Sequence, residues 1–135
     1  GGKWEKVRWA LLPEQFPEAY ENWLTYPHKL TLPEGESMVE FQRRLVDAVE
    51  DIAARHAGER IGIVTHGTAI KALLCYFRKL PLSEFPFQKW CDNAAVTIVE
   101  AVGGAYTVTV DGYNAHLGDL STLDKQTWWR GINDD

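Results

Sequence analysis

The chain has 135 residues, of which 45% are hydrophobic and 24% are charged, and its formal net charge is −5 at pH 7. This length predicts a single domain over residues 1–135 with a core of ordinary size. The acidic balance argues against nucleic acid as a partner, because phosphate backbones are bound by clustered Lys and Arg. No apolar run is long enough to span a bilayer, and the first residues do not form a signal peptide, so we expect no membrane partner.

Residues 1–33 combine aromatic side chains with prolines, which predicts short helices and loops whose rings pack onto the body of the protein. Ser37-Met38-Val39-Glu40 matches a capping box, where a serine side chain caps the first helical turn. Apolar residues at helical spacing then predict a helix over 37–57, and Gly58 is a fitting end.

Ile61–Thr65 is predicted to be a short buried strand, and since it is apolar on both faces we expect it at the centre of a sheet. A second helix is predicted over 69–79. Residues 94–101 and 106–110 have strand character, and Gly103-Gly104 predicts the hairpin turn between them. This order of helix, strand, helix and hairpin predicts an α/β fold.

The two cysteines, Cys75 and Cys91, match neither a disulfide framework nor a zinc-binding pattern. Cys75 lies within an apolar helical run, which is typical of a small core residue. A reducing compartment is therefore favoured, and we expect the cytoplasm. The four histidines lack metal-ligand spacing, which argues against a metal site.

His66 and Gly67 lie where the predicted strand meets the second helix. In open α/β sheets ligands bind beyond the carboxyl ends of the strands, and a helix N-terminus favours anions. The position therefore predicts a phosphate site in which His66 serves as cation, general acid or nucleophile. On this pattern alone, a structural histidine that joins two loops by hydrogen bonds is an equally good interpretation.

Five segments stand in a recognisable order: Gly2-Lys3-Trp4-Glu5, Pro33-Glu34-Gly35-Glu36-Ser37, Ile63-Val64-Thr65-His66-Gly67-Thr68, Asp92-Asn93-Ala94-Ala95-Val96-Thr97 and Asn114-Ala115-His116-Leu117. Together they resemble the histidine phosphatase superfamily, also called the phosphoglycerate mutase-like family, and its phosphatase branch in particular. The resemblance implies a three-layer α/β/α fold, incomplete here because the family's first strand is absent.

The family's Arg-His-Gly motif, which carries the phosphate-accepting histidine, is also absent from the sequence, as is the proton-donating Glu that precedes the Gly2 segment in that branch. The one near match, Arg55-His56, is interpreted as a helix C-terminus, where both side chains suit the helix dipole. We therefore expect this chain by itself to be inactive.

By the same resemblance, His66 is a catalytic residue that contacts the transferring phosphoryl group without being the nucleophile. Gly67 and Thr68 either offer N–H or hydroxyl groups to phosphate or only start a helix. Glu36 either lines the pocket mouth or is a solvated first-turn carboxylate. Asn93 either orients the site or only closes a turn.

Other polar residues are interpreted as structural or exposed: His28, Asn114 and His116. The last residues, 132–135, are expected to be frayed.

The resemblance implies a cofactor-independent phosphatase that hydrolyses small phosphate monoesters through a phosphohistidine intermediate. Phosphoglycerate mutase activity is one alternative. A catalytically silent fragment or pseudoenzyme that binds only anions or a partner is another. A serine hydrolase is disfavoured because the turn between the predicted strand and the second helix lacks the Gly-x-Ser-x-Gly motif. The open sheet edge at Ile61–Thr65 predicts self-association or binding of the absent N-terminal segment.

Overall fold

The structure is a computed structural model and describes residues 1–125, without the side chain of Asp124. Its helices are α1 (Leu12–Gln15), α2 (Pro17–Thr25), α3 (Met38–Arg55) and α4 (Gly67–Phe77), and its strands are β1 (Val96–Val102) and β2 (Ala105–Tyr113). Short 3₁₀ segments occupy Gly2–Trp4, Trp9–Leu11, Pro27–Lys29, Leu82–Phe87, Ala115–Leu120 and Leu123–Lys125. The predicted mixed α/β class is confirmed, whereas the expected fraying at 132–135 falls outside the described residues.

The N-terminal region consists of short helical pieces joined by loops, as predicted. Its aromatic rings form a row in which Trp4 contacts Trp9 and Trp9 contacts Trp23, with ring centroids 6.1 and 6.0 Å apart. Trp23 then lies 5.9 Å from the ring of Phe85, which is buried in the core. The row therefore fastens the first residues of the chain to the second half of the molecule.

Helix α3 begins with the predicted capping box. Glu40 N–H donates to Ser37 Oγ at 3.2 Å, and Ser37 N–H donates to a Glu40 carboxylate oxygen at 2.8 Å. The helix ends at Arg55, with His56 as its C-terminal cap. The interpretation of Arg55-His56 as a helix end is thereby confirmed.

Helix α4 lies at the centre of the core, where its residues Lys71–Cys75 are buried. The core cluster contains Leu30, Met38, Ala72, Cys75 and Phe85. Cys75 is fully buried, as its place in an apolar run predicted, and burial raises the pKa of its thiol to about 11. The helix begins two residues earlier than expected, because His66 caps it.

Strands β1 and β2 form the predicted antiparallel hairpin, with Val99 opposite Val108 and Val102 opposite Ala105. Gly103 and Gly104 both have positive φ angles, 57° and 77°, as a type I′ turn requires. Tyr106 of β2 packs against α4, and its ring centroid lies 5.0 Å from that of Phe77.

The expectation of a buried central strand at Ile61–Thr65 is wrong for this structure. Residues 61–66 adopt no strand pairing, and the sheet found within residues 1–125 contains only β1 and β2. Ile63 is 51% exposed and Val64 fully exposed. A strand needs a neighbour for its N–H and C=O groups, and β1 and β2 pair with each other.

Candidate active site

His66 forms the N-terminal cap of α4, with an extended backbone (φ −103°, ψ 156°). Its carbonyl accepts the N–H of Ile70 at 3.0 Å, while its exposed side chain makes no capping hydrogen bond. The N–H groups of Gly67, Thr68 and Ala69 have no acceptor among residues 1–125. An imidazole therefore stands beside unpaired N–H donors at the positive end of a helix dipole, which is an anion-binding arrangement.

Gly67 leaves room for a close contact, and no positive φ angle is involved. A Cβ atom at this position would lie 3.2 Å from Cζ3 and 3.3 Å from Cε3 of Trp90. Any larger residue would push the indole away or move the start of α4. The glycine thus lets an aromatic ring approach the backbone directly after His66.

Glu36 lies just before α3 and forms a two-pronged ion pair with Arg44. Arg44 Nη2 donates to Oε1 at 2.7 Å and its Nε donates to Oε2 at 3.2 Å. The hydrogen bond from Arg44 lowers the pKa of Glu36, which keeps the carboxylate charged. Both residues line an open depression together with Gly35, Glu40, Arg43 and Asp47.

The first turns of α3 and α4 lie in the same part of the molecule. Gln42, one turn into α3, donates from Nε2 to the carbonyl oxygen of Ala72, just over one turn into α4, at 2.8 Å. This hydrogen bond brings the Glu36 end of α3 towards the His66 end of α4. A helical turn rises only about 5.4 Å, so both ends lie near this joint.

Asn93 is exposed and sits in a turn that the Ala95 N–H closes onto the carbonyl of Asp92 at 3.1 Å. Its side chain makes no hydrogen bond within the described part of the chain. No contact of Asn93 supports the predicted role in orienting the site. The alternative, that Asn93 only closes a turn, accounts for its position.

Sequence reasoning overlooked Asp92, which is only 6% exposed. Its carboxylate accepts hydrogen bonds from Asn114 Nδ2 at 2.9 Å, Ser121 Oγ at 2.7 Å and the backbone N–H groups of Thr122 and Leu123 at 2.8 and 2.7 Å. The donors are more than twenty residues away, so no local pattern shows them. Asn114 is structural, as interpreted.

His116 has the contacts of a structural residue as well. Its Nε2 lies 3.1 Å from the carbonyl oxygen of Ala94, and its ring stacks on Tyr113 with centroids 5.6 Å apart. His28, which is exposed, packs its ring edge-on against Tyr26.

Lys71 is the second residue that was overlooked, since it is 1% exposed within the otherwise apolar face of α4. A charged residue inside the run Ala69–Cys75 was the available signal.

Over the part of the chain that the structure describes, no group of three or more His, Cys, Asp or Glu side chains is arranged to hold a metal ion. None of the described helices has both the length and the apolar character needed to cross a membrane.

The sequence pattern of the histidine phosphatase superfamily (branch 1) matches residues 1–113. The chain belongs to this superfamily. The solved structure of Bacillus stearothermophilus YhfR is similar to it with a TM-score of 0.81 and 33% sequence identity, over 86% of this chain and 57% of that one. The fold of this chain is therefore the histidine phosphatase fold.

Several curated relatives carry phosphatase names, among them one from Arabidopsis thaliana and one from Hydrogenobacter thermophilus. The metal-independent phosphoserine phosphatase of Arabidopsis thaliana is 37% identical over 92% of this chain and 50% of its own length. The putative phosphoserine phosphatase 2 of Hydrogenobacter thermophilus is 32% identical over 89% of this chain and 58% of its own length. The chain thus spans about half the length of these relatives.

Proposed function

We propose that this chain is part of a phosphatase that hydrolyses small phosphate monoesters through a phosphohistidine intermediate. The observation that carries the proposal is His66 at the cap of α4, beside N–H groups that have no acceptor among the described residues. Membership of the histidine phosphatase superfamily supports it. Because relatives are named phosphoserine phosphatases, phosphoserine is the first substrate to test.

In this proposal His66 holds the phosphoryl group while it transfers. Phosphoryl transfer spreads charge over three equatorial oxygens, and catalysis depends mainly on positioning and electrostatic stabilisation. The imidazole of His66 and the N–H groups of Gly67 and Thr68 supply that stabilisation in one place. The phosphate-accepting histidine comes from an Arg-His-Gly segment outside this sequence, and no further cofactor is needed.

Glu36 and Asn93 have supporting roles in the same proposal. In this proposal the open depression that Glu36 and Arg44 line, with their side chains joined in an ion pair, is the mouth of the phosphate pocket. Asn93 shapes the turn that follows Trp90. Residues 1–135 act as one partial domain, with inorganic phosphate or a small phosphorylated molecule as ligand and neither nucleic acid nor membrane as partner.

A cytoplasmic location is proposed on the basis of thiol chemistry. Cys75 and Cys91 are both free, and burial raises the pKa of each thiol. Unpaired cysteines are typical of proteins from reducing compartments.

The exposed segment Ile61–Thr65 pairs, in this proposal, with an extended polypeptide segment that carries the Arg-His-Gly motif. Its N–H and C=O groups are unpaired within residues 1–125, and both of its faces are apolar. An added strand here would end beside His66 and so bring the accepting histidine to the start of α4. Self-association through the same edge is the expected state when that segment is missing.

The test is hydrolysis of phosphoserine and of a chromogenic phosphate monoester. The chain is assayed alone and combined with a separately made N-terminal segment that carries an Arg-His-Gly motif. We expect activity only in the combination, and His66→Ala should lower kcat by about 100-fold or more. His28→Ala, which changes an exposed histidine, is the control. Equal loss in both variants would contradict the role of His66.

Mutase activity is separated from phosphatase activity by the product. A mutase would move the phosphoryl group within a phosphoglycerate, whereas the proposed enzyme releases inorganic phosphate. The catalytically silent alternative predicts that no combination hydrolyses either substrate.

A further inference from the structure

Lys71 is buried in the core, and it has no carboxylate partner among residues 1–125. It is 1% exposed, and no Asp or Glu oxygen in the described part of the chain lies within ion-pair distance of its Nζ. Instead, Nζ lies 4.3 Å from the ring centroid of Trp90 and 4.7 Å from that of Phe85. A single carbonyl oxygen, that of Pro86, lies 3.5 Å away. Lysine is almost never fully buried unless it is paired, so this aromatic cage takes the place of a counter-ion.

Trp90 connects this ammonium group to the candidate active site. Two atoms of its indole, Cζ3 and Cε3, lie 3.2 and 3.3 Å from the position that a Cβ atom at Gly67 would take. The same ring system faces Lys71 Nζ. Gly67 is the first residue of α4 and directly follows His66. The ammonium, the indole and the first helical turn therefore form one continuous set of contacts.

The other ring of the cage, that of Phe85, packs against a further aromatic side chain. Phe85 contacts Trp23, which begins the aromatic row that runs back to Trp4. Trp90 is the ring of the cage that lies both against Lys71 Nζ and beside the start of α4.

We propose that Lys71 and Trp90 are positioning residues that fix the first turn of α4, and with it His66, for binding phosphate. The ammonium orients the indole by a desolvated cation–π contact, and the indole sets the position of Gly67. Lys71 lies about 6 Å along the helix axis from Gly67, since each residue rises about 1.5 Å. Its charge therefore also adds to the positive potential at the helix start. This inference rests on the proposed function.

The charge of Lys71 titrates in an accessible range. Burial lowers its pKa to about 8. Burial raises the pKa of the Cys75 and Cys91 thiols, so the lysine loses its proton before they do. As the pH rises through about 8, Lys71 loses the charge on which the cation–π contact depends.

The free energy of unfolding and the affinity for phosphate should then change in opposite directions as the pH rises. A lysine whose folded pKa lies below its unfolded value of about 10.4 binds fewer protons when folded, so between these two values stability rises with pH. The positioning role predicts that phosphate binding weakens over the same range. A lysine that only filled the core would make stability rise with pH but would leave phosphate binding unchanged.

The experiment is nuclear magnetic resonance on the full 135-residue chain. The Gly67 Hα and N–H signals, which lie beside the indole, are followed from pH 6 to pH 10. The His66 ring signals are followed during titration with inorganic phosphate. We expect the Gly67 signals to titrate near pH 8 in the unmodified chain and to stop titrating in Lys71→Met. Lys71→Met should weaken phosphate binding at pH 6.5 by about fivefold, a typical coupling between sites.

Two further variants keep the inference testable if Lys71→Met folds poorly. Trp90→Phe retains a ring for the ammonium but withdraws Cε3 and Cζ3 from Gly67, and it should weaken phosphate binding while circular dichroism is unchanged. Lys71→Arg keeps the charge, so the Gly67 signals should keep their pH 6 positions without titrating near pH 8. Lys29→Met, which removes an exposed lysine 4.5 Å from the Tyr26 ring centroid, is the matched control and should change nothing.

Unchanged Gly67 signals and unchanged phosphate affinity in both Lys71→Met and Trp90→Phe would overturn the inference. If phosphate leaves the His66 signals of the unmodified chain unmoved, the proposed function and the positioning role for it both fail. In that case the Gly67 titration still shows whether the lysine controls the helix start, so the two failures are distinguishable.

Discussion

At the scale of single residues, Asp92 holds together the largest hydrogen-bond network of the described chain. It anchors residues 114–123 to the turn before β1 through three side chains and two backbone N–H groups. Hydrogen bonds from Ser121 and Asn114 hold the pKa of the Asp92 carboxyl well below its usual range. The charged form of Asp92 is therefore part of the folded structure.

Asp92→Asn should loosen the segment that follows β2. An amide would point N–H groups at donors that now meet a carboxylate oxygen. Because the folded pKa is depressed, the contribution of Asp92 is complete above its unfolded pKa of about 3.9 and is lost as pH falls below it. Denaturant unfolding at several pH values, with amide exchange over 114–123, should show a variant difference that shrinks in acid. A difference independent of pH would contradict this, and Asp119→Asn, an exposed neighbour, is the control.

At the scale of elements, α3 is specified locally at its start. Ser37 and Glu40 satisfy each other's backbone N–H groups, and the aliphatic and aromatic residues that follow face the core. These interactions span only a few residues, so the sequence pattern was sufficient to predict the helix and its cap. The end of α3 at Arg55 was predicted to within two residues for the same reason.

Ser37→Ala should lower the free energy of unfolding by about 1 kcal/mol, because the Glu40 N–H loses its acceptor. Ser37→Thr retains a hydroxyl and should cost much less. Both variants are measured by chemical denaturation at neutral pH. Equal losses in the two variants would show that the capping hydrogen bond does not stabilise α3.

At the scale of the whole molecule, the extended stretch before His66 has exposed apolar side chains and no strand neighbour among residues 1–125. Ile61, Ile63 and Val64 expose apolar side chains, and no strand pairs with them among residues 1–125. Exposed apolar edges of this kind invite pairing with another chain. The core around α4 is meanwhile complete, since Lys71–Cys75 are buried without any such partner.

The isolated chain should therefore associate with itself as its concentration rises. Light scattering coupled to size-exclusion chromatography measures the association. Val64→Lys places a charge on the exposed edge and should suppress the larger species. Val39→Lys alters a similarly exposed apolar residue on α3 and should not. A chain that stays monomeric at every concentration would count against pairing through this edge.

Local patterns thus predicted those features whose partners are close in sequence. The Gly103-Gly104 turn, the capping box and the end of α3 near Arg55 all depend on neighbours within a few residues. Asp92 and Lys71 were overlooked because their partners lie far along the chain or in another element. The strand at Ile61–Thr65 was wrongly predicted as buried, since apolar character does not supply a pairing neighbour.

By itself the sequence determined the helices, the hairpin and a histidine at the start of a helix, because backbone preferences and apolar periodicity act over short distances. Only the tertiary structure decided what surrounds that histidine. It set the indole of Trp90 against Gly67 and enclosed Lys71 in aromatic rings. It also left Ile61–Thr65 exposed. These outcomes depend on packing between distant segments, which no window of sequence contains.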